Sequence, residues 1–342
     1  MTSPSFPDQI HLERLAAALW SRPEPSRAAL MVGAGFSQNA VPARQASRPF
    51  PTWPQLTGRI IDSLYPPGVT PDRVRTDAWK RCGATSGFLR VAEEFEAQLG
   101  RPALDDLVSA AVPDLDHNPG PLHSLLLKLP WADVLTTNYD TLLERAAQEV
   151  LHRRYYVVAT NADLNGGARP RIVKLHGSLP SHRPFVLTEE DFRSYPRRCP
   201  AFVNLARQLI VETTLCLIGF SGDDPNFLQW SGWVRDVLGP SARQIYLCGV
   251  LDLTEAQRLL LHRRHVVPID LSSVFPQVDW PDPTVRHAKA MEWLLLALEE
   301  RQPRSPLLWP ASPKPELTPA TPGLPNRPKL TSVDLEVEDA YP

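Results

Sequence analysis

Leu30-Met31-Val32-Gly33-Ala34-Gly35-Phe36-Ser37 is an apolar run that breaks into Gly-x-Gly and a serine. A first β-strand turns onto the phosphates of a dinucleotide in this way. The glycines leave the backbone free of Cβ atoms where it bends and approaches a pyrophosphate, and the next helix aims its first N–H groups at the anion. Gly-x-Gly also occurs in ordinary tight turns, and the third glycine of the usual fingerprint is absent because Ser37 and Gln38 follow. Nucleotide binding is therefore a first hypothesis that needs companions elsewhere in the chain.

The 342 residues, 43% hydrophobic and 22% charged, have ordinary globular composition and can bury a sizeable core. A formal net charge of −2 supplies no broad basic field, so direct nucleic-acid binding is not expected. Cys82, Cys199, Cys216 and Cys248 lie far apart, without a Cys-x-x-Cys pair, which argues against a metal site; Cys216 and Cys248, inside apolar runs, read as small buried hydrophobes in a reducing compartment. No run approaches the ~18 apolar residues of a membrane span, and the first residues lack a signal-peptide pattern. The expected location is cytoplasmic, without membrane contact.

Working outward from the glycine stretch, residues 9–21 have helical spacing and residues 29–32 form a strand. Residues 45–70 read as irregular and proline-rich, and 72–82, 86–99, 103–111 and 120–129 as helices of a module spanning 60–130. Strands follow at 132–137, 155–159, 172–175, 214–219, 244–250 and 266–269, with helices at 141–152 and 283–300 and helical or loop segments at 198–212, 225–238 and 254–264. Strands spaced by helices predict an α/β fold: a Rossmann-like, doubly wound, mostly parallel sheet with the helical module inserted after the first glycine loop. Residues 1–302 are expected to form one domain. Residues 303–342 read as a proline-rich tail, either a linker, a docking segment or an end without a role.

Open α/β sheets bind ligands at the carboxyl ends of their strands. Four polar motifs fall there: Gly33-Ala34-Gly35-Phe36-Ser37, Thr136-Thr137-Asn138-Tyr139-Asp140, Lys174-Leu175-His176-Gly177-Ser178 and Gly219-Phe220-Ser221-Gly222-Asp223-Asp224. Singly, the Asn138/Asp140 pair serves equally as a helix cap, and His176 as a core histidine. The agreement of all four points to a site. Arg44 reads either as a phosphate ligand or as a surface side chain. Glu93-Glu94-Phe95-Glu96 reads as a solvated helix face, and Thr188-Glu189-Glu190-Asp191 as a capping box.

In order and spacing, these motifs resemble those of the Sir2 superfamily. The nearer resemblance is to SIR2-like NAD-hydrolase domains of bacterial antiphage defence, carried also by Trp53-Pro54-Gln55-Leu56, Val186-Leu187-Thr188-Glu189-Glu190-Asp191-Phe192 and Asp224-Pro225-Asn226-Phe227, over residues 28–270. Protein deacetylases of that superfamily add a zinc ribbon and a Pro-Asp-Phe-Arg segment. Here the scattered cysteines make no ribbon, and Val41-Pro42-Ala43-Arg44 stands where the segment would be.

The resemblance implies NAD+ as substrate, no metal, and transfer of ADP-ribose to water. It assigns Asn138, Asp140 and His176 to catalysis. Asn138 would hold the ribose hydroxyls or a water, Asp140 the nicotinamide carboxamide, and His176, with an ordinary pKa of about 6.5, would act as general base. Gly33, Ala34, Gly35 and Ser37 would cradle the pyrophosphate beside Ser221, with Thr137 and Gly219 completing the cofactor-binding set. Asp223 or Asp224 would contact ribose or cap the next helix. A homo-oligomer and a sensor partner, such as an ATPase or an Argonaute-like protein, are also implied. The alternatives are an NAD-dependent deacylase or ADP-ribosyltransferase, and a non-catalytic NAD or ADP-ribose sensor or scaffold.

Overall fold

Strand β1 (Ala28–Val32) is fully buried, so its five residues have apolar neighbours on both faces. This explains why a parallel strand reads as an unbroken apolar run rather than an alternating one. The computed structural model describes residues 6–301 except 22–25, 46 and 84; the proline-rich tail assigned to 303–342 lies outside the described residues.

Helix α1 (Gln9–Leu19) precedes β1, and the one-turn α2 (Ala34–Ser37) follows it. The chain then passes through β2 (Val41–Pro42), α3 (Trp53–Leu64), α4 (Asp72–Arg81), α5 (Thr85–Leu99), α6 (Arg101–Ala111), β3 (His117–Asn118) and α7 (Pro121–Lys128). It re-enters the sheet at β4 (Val134–Thr136), followed by α8 (Leu142–Glu149), β5 (Tyr156–Val158) and β6 (Arg171–Lys174). Next come α9 (Glu189–Arg198), α10 (Pro200–Glu212), β7 (Thr214–Ile218), α11 (Pro225–Leu238), β8 (Ile245–Gly249), α12 (Glu255–Arg263), β9 (Val266–Asp270) and α13 (Pro283–Glu299).

The main sheet has seven strands in the order β5-β6-β4-β1-β7-β8-β9, all pairings parallel, as the doubly wound expectation requires. From β1 the chain crosses to β4 on one side, continues to the edge strand β5, comes back to β6 between them, and then returns to β1's other flank at β7. The switch point therefore lies at β1. Register aligns Val32 with Thr136 and with Ile218, and Thr136 with Lys174. All four polar motifs thus leave the sheet side by side, at the edge where open α/β sheets bind ligands.

Alternation within each strand builds two cores. Leu30, Val32, Cys216, Ile218 and Cys248 join α1, α7, α8 and α13, while Met31, Leu215, Leu217 and Leu247 join α9, α10 and α11. Met291, Leu294, Leu295 and Leu298 are buried, so α13 packs on the sheet. The thiols of Cys216 and Cys248 are free and buried, 3.6 Å apart. A third core belongs to the helical module, where Leu56, Ile60, Val91, Phe95, Leu104 and Val108 meet Tyr139, Phe185 and Leu187 from the sheet side.

One correction concerns residues 45–70, which contain α3 rather than irregular chain throughout. Pro54 occupies its first turn, where an N–H would have no helical partner, and the Thr52 N–H donates to Gln55 Oε1 at 2.8 Å. The helix buries Leu56, Ile60, Ile61 and Leu64. The segment read at 198–212 as helical or loop is α10. Its predecessor α9 starts at the Thr188 cap, whose hydroxyl accepts from the Asp191 N–H at 3.1 Å.

Candidate active site

The floor of the site is made where the loops after β1 and β7 touch. Gly33 N–H donates to the Ile218 carbonyl at 3.0 Å, and Gly35 N–H to the Gly219 carbonyl at 2.9 Å. A Cβ on Gly33 would lie 2.4 Å from that carbonyl oxygen, and one on Gly219 would lie 2.3 Å from the Phe36 nitrogen. Gly219 also has φ +62°, a conformation that favours glycine. The glycines are thus required by the close meeting of two loops. The helix after β1, α2, is a single turn whose Gly35 and Phe36 N–H groups bond to the Gly219 and Gly33 carbonyls.

Asn138 sits at the centre of a buried network. Its main-chain N–H donates to Thr136 Oγ1 at 3.1 Å, and that hydroxyl donates to the Val32 carbonyl at 3.0 Å, locking the turn to β1. Its Nδ2 donates to the Gly33 carbonyl at 3.1 Å and to Ser37 Oγ at 2.9 Å. Ser37 in turn donates to Asp140 Oδ2 at 2.7 Å. Because the single hydroxyl proton goes to the carboxylate, Asn138 must present its NH₂ to Ser37, leaving its own Oδ1 outward. That oxygen is buried and unpartnered among the described residues. A buried acceptor without a partner is costly, and a ligand hydroxyl would satisfy it. Ser37 couples Asn138 to Asp140.

Asp140 is held through both ends. Oδ1 accepts from the Leu142 N–H at 3.2 Å, and the main-chain carbonyl accepts from Lys174, whose Nζ lies 2.9 Å from Glu144. Burial raises the Asp140 pKa above the usual carboxylate range, with Lys174 and then Ser37 pulling it back. Ser37, Phe50, Trp53, Asn138, Tyr139 and Asp140 line a recess of about 50 Å³. A larger cleft of about 410 Å³ adjoins it through the shared walls Ala34, Trp53 and Thr137. This cleft runs over Gly33, Gly35 and Gly219 to His176, Ser221 and Asp224.

His176 is 3% exposed. The rings of Phe192 and Tyr195 meet it edge-on at 5.4 and 6.2 Å. Asn226 Nδ2 lies 3.4 Å from its Nε2, and Asp224 Oδ2 lies 3.7 Å away. Burial lowers the His176 pKa, opposed by the negative charges of Asp224 and then Asp191. Asp224 divides its carboxylate: Oδ1 caps α11 by accepting from the Phe227 N–H at 2.9 Å, and Oδ2 faces the imidazole. Neighbouring Asp223 is exposed and pairs with Arg264 at 3.5 Å.

The structure brings Asn138, Asp140, His176, Thr137, Ser221, Asp224 and the glycines together at one edge. Arg44 is exposed and lines neither cavity, while Glu94 and Glu96 pair with Arg81 and Arg101. Sequence reasoning did not place Asn226 against His176, nor identify the module's cleft wall of Trp53, Trp79 and Phe88. Trp53 stacks edge-on with Phe88 at 5.0 Å while remaining 47% exposed. Trp53 and Asn226 do lie in motifs quoted above, which was the available signal; Trp79 and Phe88 carry none. No group of three or more His, Cys, Asp or Glu side chains poised for a metal occurs among the described residues, and none of their helices is long and apolar enough to cross a membrane.

These features define an open α/β protein with a polar cleft at the switch point of its sheet. Residues 132–269 match a family model described as the SIR2-like domain. Defense-associated sirtuin 2 of Bacillus subtilis is 26% identical over 191 residues, covering 54% of this chain and 18% of that protein. NAD(+) hydrolase ThsA of Acinetobacter baumannii is 30% identical over 130 residues, covering 37% of this chain and 27% of that protein. The chain thus spans less than a third of the length of these two relatives. A Sir2 homologue–NAD complex aligns at 12% identity and TM-score 0.42, over 88% of this chain and 96% of that one.

Proposed function

We propose that this chain is an NAD+ hydrolase that releases nicotinamide and ADP-ribose, acting in the cytoplasm as an effector of antiphage defence. The observation that carries the reading is the Asn138-Ser37-Asp140 relay with its one buried, unsatisfied acceptor, set beside a cleft that ends at His176. The names of the SIR2-like relatives support it. Asn138 Oδ1 accepts from a ribose hydroxyl or the attacking water, and Asp140 receives the carboxamide in the small recess. The C1′–N bond breaks with its electron pair neutralising the pyridinium ring. Water forms the new C1′–O bond, and its proton passes to His176 and then to solvent. The transition state is oxocarbenium-like, so fixed dipoles and a positioned nucleophile lower the barrier.

Such an activity must be restrained, which motivates the proposal of a homo-oligomer under a sensor partner. The test is nicotinamide and ADP-ribose release from NAD+ by the purified chain at several protein concentrations, beside Asn138→Ala and His176→Ala. Loss of release in both variants, with a steep concentration dependence in the parent, is expected. Release that survives both substitutions overturns the reading.

A further inference from the structure

The position of His176 is decided by the first turn of α11. This helix begins with Asp224 as cap, Pro225 in the first turn, and Asn226 directed inward, 2% exposed. Phe192 and Tyr195 meet the imidazole edge-on. Nε2 meets the Asn226 amide and the Asp224 carboxylate, whereas Nδ1 takes no protein partner among the described residues. An amide N–H pointing at a ring nitrogen requires a lone pair there, and the hydrogen bond made by one ring nitrogen decides which of the two is protonated. Neutral histidine in water prefers the opposite arrangement, with its proton on Nε2.

We propose that Asn226 is a positioning residue for His176, its amide fixing Nε2 as the bare, proton-accepting nitrogen while Asp224 stands ready to pair with the imidazolium formed. The proposal rests on the hydrolase reading in giving His176 the role of base. When an O–H proton reaches Nε2, that O–H bond breaks, its electron pair remains on the oxygen attacking C1′, and an N–H bond forms. Nε2 has a single in-plane lone pair, so the incoming O–H displaces the Asn226 N–H from it, and the new Nε2–H is stabilised by Asp224 Oδ2, 3.7 Å away. The charged groups acting on the ring are Asp224 from α11 and Asp191 from α9. Asn226 is neutral, so it selects the tautomer without adding charge.

The test is ¹⁵N NMR of the histidine-labelled full chain, with His176 assigned through His176→Gln, in the parent, Asn226→Leu and Asn226→Asp. The parent should show a bare Nε2, and Asn226→Leu should move the proton onto Nε2. Asn226→Asp, nearly isosteric, should raise the His176 titration midpoint by about one pH unit or more. Alongside, kcat for nicotinamide release should fall about tenfold or more in Asn226→Leu, with KM held within about twofold. A parent protonated on Nε2, or a folded Asn226→Asp with an unmoved midpoint, overturns the proposal even if release is normal. The expected tautomers without any release from NAD+, at every protein concentration tested, uphold the seating of His176 and count against hydrolysis by the unpartnered chain instead.

Discussion

Alanine at three glycines separates the two constraints on the floor of the cleft. Gly222 has φ +80° with nothing within 4 Å of an added Cβ, so Gly222→Ala bears only the cost of a left-handed backbone, about 1–2 kcal/mol. Gly33 has φ −109°, which any residue adopts, yet its Cβ would lie 2.4 Å from the Gly219 oxygen. Separating these atoms to ordinary contact moves one loop by roughly an ångström, at about 1–3 kcal/mol. Gly219→Ala combines φ +62° with a 2.3 Å approach to the Phe36 nitrogen and should cost about 2–5 kcal/mol. Set against a typical stability of about 5–15 kcal/mol, that loss is large, and it should lower Tm by about 2–4 °C per kcal/mol. Urea and thermal melts followed by tryptophan fluorescence give the stabilities, and NAD+ titration below all transitions gives the affinities. Gly33→Ala and Gly219→Ala should weaken NAD+ binding through the displaced loops. If Gly219→Ala is no more destabilising than Gly222→Ala within about 0.5 kcal/mol, the loop-contact account is wrong.

Ser37→Ala leaves Asp140 Oδ2 and Asn138 Nδ2 each short of a buried partner; a loss of about 1–3 kcal/mol in urea melts is expected, together with slower nicotinamide release. His123 has its pKa pushed down to about 4 by burial, so the folded chain binds this proton less readily than the unfolded chain does. Its contribution is complete above the unfolded value of about 6.5 and falls by about 3 kcal/mol as pH drops from there to about 4, a slope in urea stability that His123→Asn should remove. Release of nicotinamide should rise with pH through a midpoint below about 6.5 and then level off, because burial lowers the His176 pKa and its neutral form is the base; a midpoint above 6.5 would contradict this. Asp191 is held below the usual carboxylate range despite burial by the Leu187 and Thr188 N–H groups and Arg101, which donates to it at 3.0 and 2.9 Å. Asp191→Ala should therefore destabilise the chain by about 3 kcal/mol and expose the module to limited proteolysis; an unchanged melt would show that the pairing does not clamp the module.

Strand positions were legible because parallel strands buried on both faces announce themselves as apolar runs, and the polar residues after β1, β4, β6 and β7 converge because register aligns those strands. Helix α3 was obscured by Pro49, Pro51 and Pro54, whose density suggests irregular chain until Pro54 is seen in a first turn. Asn138, Asp140 and His176 could be picked out beforehand, but the use of Ser37 could not. A serine after a glycine loop reads the same whether it faces a phosphate or bridges two side chains from another strand. The seat of His176 was hidden similarly: Asn226 looks like an ordinary early helix residue until α11 is docked over β6's end, and only its place in the Asp224-Pro225-Asn226-Phe227 stretch marked it.

The contact of Gly33 and Gly35 with Gly219 joins the opening of the sheet to a strand made much later in synthesis. A nascent chain halted before β7 has the first loop without the surface that shapes it, and lacks Asp224 and Asn226 beside His176. In the hydrolase reading, the ribosome therefore carries no competent catalyst while the first half emerges, and ribosomal stalling or early termination yields fragments harmless to the cell's NAD+.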